Sequence, residues 1–508
     1  DTDPVLLARY DVKLNDKGDL VSYRMLDDSE KDEAEGTLLY AYRTLEPSEP
    51  WHNGQTYIDA MNPRAVDRFL EVTHEKYYEK VGDLFGGTVP AIFTDEPHFN
   101  TDRPLTFAKE SREAHIPWTD DLDASFREKY GVSLLEHLPE LFFEKADGVP
   151  SVIRYRFHDH VCDRFSETFA GRYGAWCEKH GILMTGHLFG EDTLFNQTSA
   201  IGEAMRSYPA FGIPGIDMLV ANRELTTAKQ TQSVVRQYGK AGMTSELYGV
   251  TNWDFDFRGF KLYGDWQAAL GVTVRVPHLS WVSMKGEAKR DYPGSISYQS
   301  PYYPEFSYVE DHFARVNTAL TRGKAMVRIG VIHPIESYWL HYGPNDRTGF
   351  LRAQLDENFK NITEWLLYGG LDFDFISEAL LPSVCEKGTS PLCVGEMKYD
   401  VIIVPACETL RPTTYERLEA FAKDGGKLII LGDAPKYENA LPTERGKKLS
   451  RLAENIEFQR EPLVSALEPF RTLELRGKDG SYTDNILHCL RRDTDGIWLF
   501  LSHCKDPY

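Results

Sequence analysis

Glu96 and Glu246 are the two carboxylates whose surroundings in the sequence suit proton transfer. Glu96 lies in Thr94-Asp95-Glu96-Pro97, directly after the apolar run Ala91-Ile92-Phe93. Pro97 disfavours helix at the residue before it and so keeps the acid in a loop. Glu246 lies in Ser245-Glu246-Leu247-Tyr248, where hydroxyl neighbours are expected to hold its carboxylate charged. Two more polar clusters leave short apolar runs in the same way: Gly186-His187 with Gly190-Glu191-Asp192, and Pro277-His278-Leu279-Ser280-Trp281. A pair of carboxyls with imidazole and flat aromatic faces around them is the equipment of glycosidic bond cleavage, in which one acid protonates the leaving oxygen and the other attacks or activates water. An acidic helix cap for Glu96 and a salt bridge for Glu246 are the plain alternatives.

Sugar contacts are expected from Trp51, Asn53 and Tyr57 in the loop Trp51-His52-Asn53-Gly54-Gln55-Thr56-Tyr57, and from Asp95, His98, His187, Glu191, Asp192, Tyr248, Trp253, His278 and Trp281. His187 and its acidic neighbours could touch hydroxyls, tune a nearby pKa or ligate a cation, and a lone histidine is often only a packed one. Asp254 and Asp256 alternate as hard-cation ligands do, yet two such acids are thin grounds for a site, and no metal ligand set is assigned.

Each cluster leaves the far end of a strand that follows a helix ended by glycine, the rhythm of a (β/α)8 TIM-type barrel with its active site at that end. Before it, Val5 to Val12, the turn Asn15-Asp16-Lys17-Gly18 and Leu20 to Tyr23 read as a hairpin. Gly36 to Thr44 reads as a barrel strand. Helices are expected from Asn62-Pro63 to Gly82, after Ser151, over Gln232 to Lys240 and over Gly259 to Leu270. From Arg328 the near-continuous apolar runs Ile329 to Ile332, Leu371 to Phe375, Val401 to Val404 and Leu428 to Gly432 imply a doubly wound, flavodoxin-like α/β domain. The fold class is therefore α/β: barrel over 1–325, flavodoxin-like domain over 326–447, and the start of a β-rich domain over 448–508. The first barrel strands are expected to lie before Asp1, so that the chain is an excerpt of a longer one.

The formal net charge of -21 over 508 residues argues against nucleic acid, which needs a basic stripe. The seven cysteines form no CxxC, so free thiols are expected over a disulfide scaffold, although Cys385 and Cys393 bracket one loop. No apolar run approaches the ~20 residues of a membrane span. A soluble protein with no membrane partner is expected, in the cytoplasm rather than secreted, with homo-oligomerisation left open. GxSxG, P-loop and GxGxxG motifs are absent, and Cys407 follows a strand as an amidotransferase nucleophile would but shows no His-Glu partner.

Counting Leu38 to Tyr42 as strand three makes Glu96 the end of strand four and Glu246 the end of strand seven, an order that resembles the large retaining-glycosidase clan. Thr94-Asp95-Glu96-Pro97, Gly186-His187-Leu188-Phe189-Gly190-Glu191, Ser245-Glu246-Leu247-Tyr248-Gly249 and the flavodoxin-like domain together look most like glycoside hydrolase family 106, the α-L-rhamnosidases, and their bacterial relatives. The resemblance spans most of residues 36 to 440. It implies inverting hydrolysis of a terminal α-L-rhamnoside in a glycoside or oligosaccharide, with Glu96 as acid and Glu246 as base. No cofactor is required by the residues themselves, whereas the resemblance implies a calcium ion near the sugar. Family 42 β-galactosidases share the domain pair, which keeps a retaining enzyme as an alternative beside a non-catalytic carbohydrate-binding or assembly subunit.

Overall fold

The computed structural model describes residues 4–27, 29, 35–99, 103–219, 223–286, 292 and 294–506. The opening alternation folds as the expected hairpin. Val5–Leu14 (β1) pairs antiparallel with Leu20–Met25 (β2), and the Asn15 carboxamide oxygen accepts the backbone N–H groups of Lys17 and Asp19 to close the turn. Thr37–Arg43 (β3) pairs antiparallel with the other side of β1. Leu38 to Tyr42 is therefore not a barrel strand. Its partner is a near neighbour in the chain, and its side chains are at most half-buried, as in an antiparallel sheet with one wet face.

Five parallel strands then follow in chain order: Ala91–Thr94 (β4), Leu183–Gly186 (β5), Ile213–Met218 (β6), Thr244–Leu247 (β7) and Val274–Pro277 (β8). Each neighbours its successor, the winding of a TIM-type barrel wall. Helices precede β4 and return the chain between the strands, and their starts are legible: the Asn62 side chain before β4 accepts from Arg64 N, Ser151 Oγ accepts from Arg154 N, and Asp256 accepts from Arg258 N and Gly259 N. Asp256 is thus a cap rather than a cation ligand.

The helix between β6 and β7 runs over Leu225–Gln237 and begins before the expected Gln232. Its polar text, Thr226-Thr227-Ala228-Lys229-Gln230-Thr231-Gln232-Ser233, resembles a surface but is buried, because a second sheet covers it. That sheet has the order Phe373–Ile376, Ile329–Ile332, Val401–Pro405, Lys427–Leu431, Glu454–Ile456, all parallel. In chain order this is 2-1-3-4-5, the flavodoxin-type doubly wound sheet. Its last strand lies past residue 447. Beyond it, Ile486–Arg492 pairs with Ile497–His503 and with Lys324–Ala325, giving the β-rich end.

Two buried ionic joints fasten barrel to sheet. Lys229 Nζ meets Asp372 Oδ1 at 2.9 Å, and Arg236 meets Asp372 and Asp374 at 2.8 Å each. Arg411 binds Glu336 at 2.6 Å and also Asp159 of the barrel helix Val152–Phe165, while Arg206 binds Asp159 at 2.9 Å.

Candidate active site

The ends of β4 and β5 are drawn together by glycine. A Cβ on Gly186, whose φ is +122°, would lie 1.9 Å from Thr94 O, so only glycine fits there. His187 N then donates to Thr94 O at 3.2 Å, and the imidazole is set beside the residues that leave β4. Of those, Glu96 has φ +47°, the left-handed region that non-glycine residues rarely adopt, and a residue held there often serves a site.

His187 is the floor of the site, with 0% of its side chain exposed. Nε2 lies 3.0 Å from Asp95 Oδ1 and 3.8 Å from Asp217 Oδ2, and Nδ1 lies 3.7 Å from Glu246 Oε2 with no hydrogen-bond partner. His278 Nε2 reaches Glu246 Oε1 at 4.0 Å. Glu246 and Asp217 form the half-buried walls, their side chains 14% and 27% exposed, while Asp95 stands 74% exposed at the rim. Glu96, also exposed, brings a carboxylate oxygen within 4.8 Å of both Asp217 and His187. Four strand ends thus converge on one imidazole.

The carboxyls are unequal. Burial pushes Glu246 up to about 7, opposed by His187 and reinforced by Asp95, Asp217 and Glu96. Burial also raises Glu96, with Asp217 adding, and raises Asp217, with His187 opposing. Asp95 goes the other way, because the His187 hydrogen bond favours its charged form. Burial works against a charged His187, yet the Asp95 bond and the charges of Asp217 and Glu246 outweigh it and raise its pKa.

The expected hydroxyl support for Glu246 is not there. Ser245 is fully buried and donates to Gln267 Oε1 at 2.5 Å, and the left-handed backbone at Tyr248, φ +77°, turns its phenol toward Phe260 O and Arg275. This removes Tyr248 from the sugar contacts and leaves Glu246 without the hydroxyl donors expected beside it. Glu191 is also withdrawn: it is fully buried and accepts Leu188 N at 3.2 Å. Asp192 accepts from Asn196 Nδ2 at 2.8 Å, one turn into the helix Leu194–Ala200. Trp51 is 81% exposed on the turn that holds Asn53, and neither side chain contributes to the carboxylate cluster. Trp253 and Trp281 pack on one another at 6.0 Å.

Tyr57 and His98 do adjoin the site. Their rings stack at 4.4 Å, His98 N donates to Tyr57 Oη at 3.3 Å, and the phenol is raised by burial, with the charges of Glu96 and Asp95 adding. Asp217 was the residue sequence reasoning missed. Pro214 and Gly215 disguise β6, although Gly212 followed by an apolar run ending in an acid has the rhythm of the other clusters.

Among the described residues two groups have metal-like spacing, Asp95-His187-Glu246 and Glu96-His187-Asp217. Both need the same imidazole, whose Nε2 is already bonded to Asp95. Calcium takes six to eight oxygens, so this set does not fit the calcium ion that the resemblance implies. The seven cysteines are free thiols, Cys385 and Cys393 included, and no helix among the described residues is long and apolar enough to cross a membrane.

No family model matches the chain. A Formosa agariphila protein named "Putative beta-glucuronidase" is 23% identical over 392 residues, 76% of this chain and 30% of that protein. The rhamnosidase from Novosphingobium sp. PP1Y matches with TM-score 0.62 at 16% identity, over 88% of this chain and 42% of that one. The exo-carrageenase GH42 from Bacteroides ovatus matches with TM-score 0.56 at 13% identity, over 89% and 62%. The chain shares its fold with the matched parts of the two solved structures. It spans less than a third of the Formosa protein and less than half of the rhamnosidase.

Proposed function

We propose that the chain belongs to a glycoside hydrolase that removes a terminal sugar, with Glu96 protonating the leaving oxygen and Glu246 as the second carboxylate. The convergence of these two acids, from β4 and β7, on the single imidazole of His187 is the observation that carries this reading. An α-L-rhamnoside is the substrate to expect first, supported by the motif resemblance and by the fold shared with the Novosphingobium rhamnosidase. In that case Glu246 deprotonates a water and the anomer inverts. Among the sugar contacts, Tyr57, Asp95, His98 and His278 are the ones whose positions support the role, whereas His187 lies beneath them, buried.

The test is a panel of aryl glycosides that includes α-L-rhamnoside, β-D-galactoside and β-D-glucuronide, with product anomer followed by proton NMR. Glu96→Gln and Glu246→Gln should each lower kcat by about 100-fold or more on substrates with poor leaving groups. Unchanged turnover in both would refute the roles, and retention with β-D-galactoside would replace the inverting reading by the retaining one.

A further inference from the structure

Glu96 and Glu246 can share the work only if one keeps its proton while the other is charged. We propose that Asp217 and His187 are the positioning pair that sets this order: Asp217 favours the proton on Glu96, and the imidazolium of His187 draws Glu246 toward its ionised form. The inference rests on the two-carboxylate reading above.

Both groups face both acids, and the geometry weights their influence. Oxygens of Glu96 and Asp217 and a nitrogen of His187 lie within 4.8 Å of one another, and like charges so close oppose each other's ionisation. Across the ring, Nδ1 faces Glu246 Oε2 at 3.7 Å, buried and unpartnered, while Asp95 at 3.0 Å on Nε2 fixes the ring with that nitrogen aimed at Glu246. One imidazole therefore puts a positive charge against Glu246, and β6 supplies a negative charge beside Glu96. Without the imidazolium, burial would drive Glu246 above the value near 7 that it already has.

Glu96 is faced by Asp95 on its own loop, by Tyr57 from the preceding loop, and by His187, Asp217 and Glu246 from β5, β6 and β7. Glu246 is faced by these and by His278. Asp217 also feels Glu191 and Glu224 on the outer side.

Glutamate side chains labelled with carbon-13 give the readout directly. In Asp217→Asn the Glu96 carboxyl should titrate about one pH unit lower, and by more than Glu246 moves; in His187→Gln the Glu246 carboxyl should titrate about one pH unit higher. On an aryl α-L-rhamnoside the pH profile of kcat/KM should move to acid in the first variant and to alkaline in the second, with the maximum at least tenfold lower in both, and Asp217→Glu should restore the wild-type profile. Carboxyl titrations that stay put, or that move together in one direction, overturn the proposal even if glycosides are hydrolysed. Opposed shifts in a chain that hydrolyses no glycoside would leave this pair standing and sink the proposed function. Should His187→Gln fail to fold, Asp217→Asn alone decides, because asparagine is isosteric at that half-buried position.

Discussion

Removing a charge from the walls of this cleft should strengthen the protein. Glu246 titrates near 7 rather than 4.5, so its contribution to stability is complete below the unfolded value and is lost as pH rises through 7. Glu246→Gln is therefore expected to raise unfolding free energy by about 2 kcal/mol at pH 8 and to leave it unchanged near pH 4, which urea titrations at the two pH values measure. At this scale the sequence was readable wherever an acid left a recognisable strand, as for Glu96 and Glu246. Asp217 escaped because Pro214 and Gly215 look like a turn. Tyr248 misled because it stands two residues from Glu246 as a hydroxyl neighbour, and a single left-handed dihedral angle, invisible in the text, takes it out of the cleft.

Among the elements, the contact of β4 with β5 is the one that the cleft can least spare. Gly186→Ala places a methyl 1.9 Å from Thr94 O and should cost roughly 3 kcal/mol or more, whereas Gly148→Ala, also at positive φ but with nothing within 4 Å, should cost about 1 kcal/mol. Paired denaturation curves check the difference, and kcat should fall only in the first variant. Helix starts at Asn62 and Ser151 were legible because their capping is local chemistry. The start at Leu225 was not, since whether Gln230 and Ser233 face water depends on residues more than a hundred positions later, His333 and Phe375. Thr37–Arg43 failed for a related reason: strand propensity does not name the partner.

For the whole molecule, the junction between barrel and doubly wound sheet should behave as shared core. Arg411→Leu would leave Asp159 and Glu336 short of a buried partner, at a cost of about 3 kcal/mol, and calorimetry should show the unfolding endotherm at lower temperature. Four of the five strands of that sheet were visible as apolar runs, and Glu454–Ile456 was too short and too exposed to register. The two units alternate along the chain less cleanly than their text suggests. The helix Leu225–Gln237, which follows the strand bearing Asp217, carries Lys229 and Arg236 into Asp372 and Asp374. Excised from its neighbour, the barrel would bring two stranded cations and a row of naked side-chain amides into water, so the two units are expected to travel together as one inherited piece.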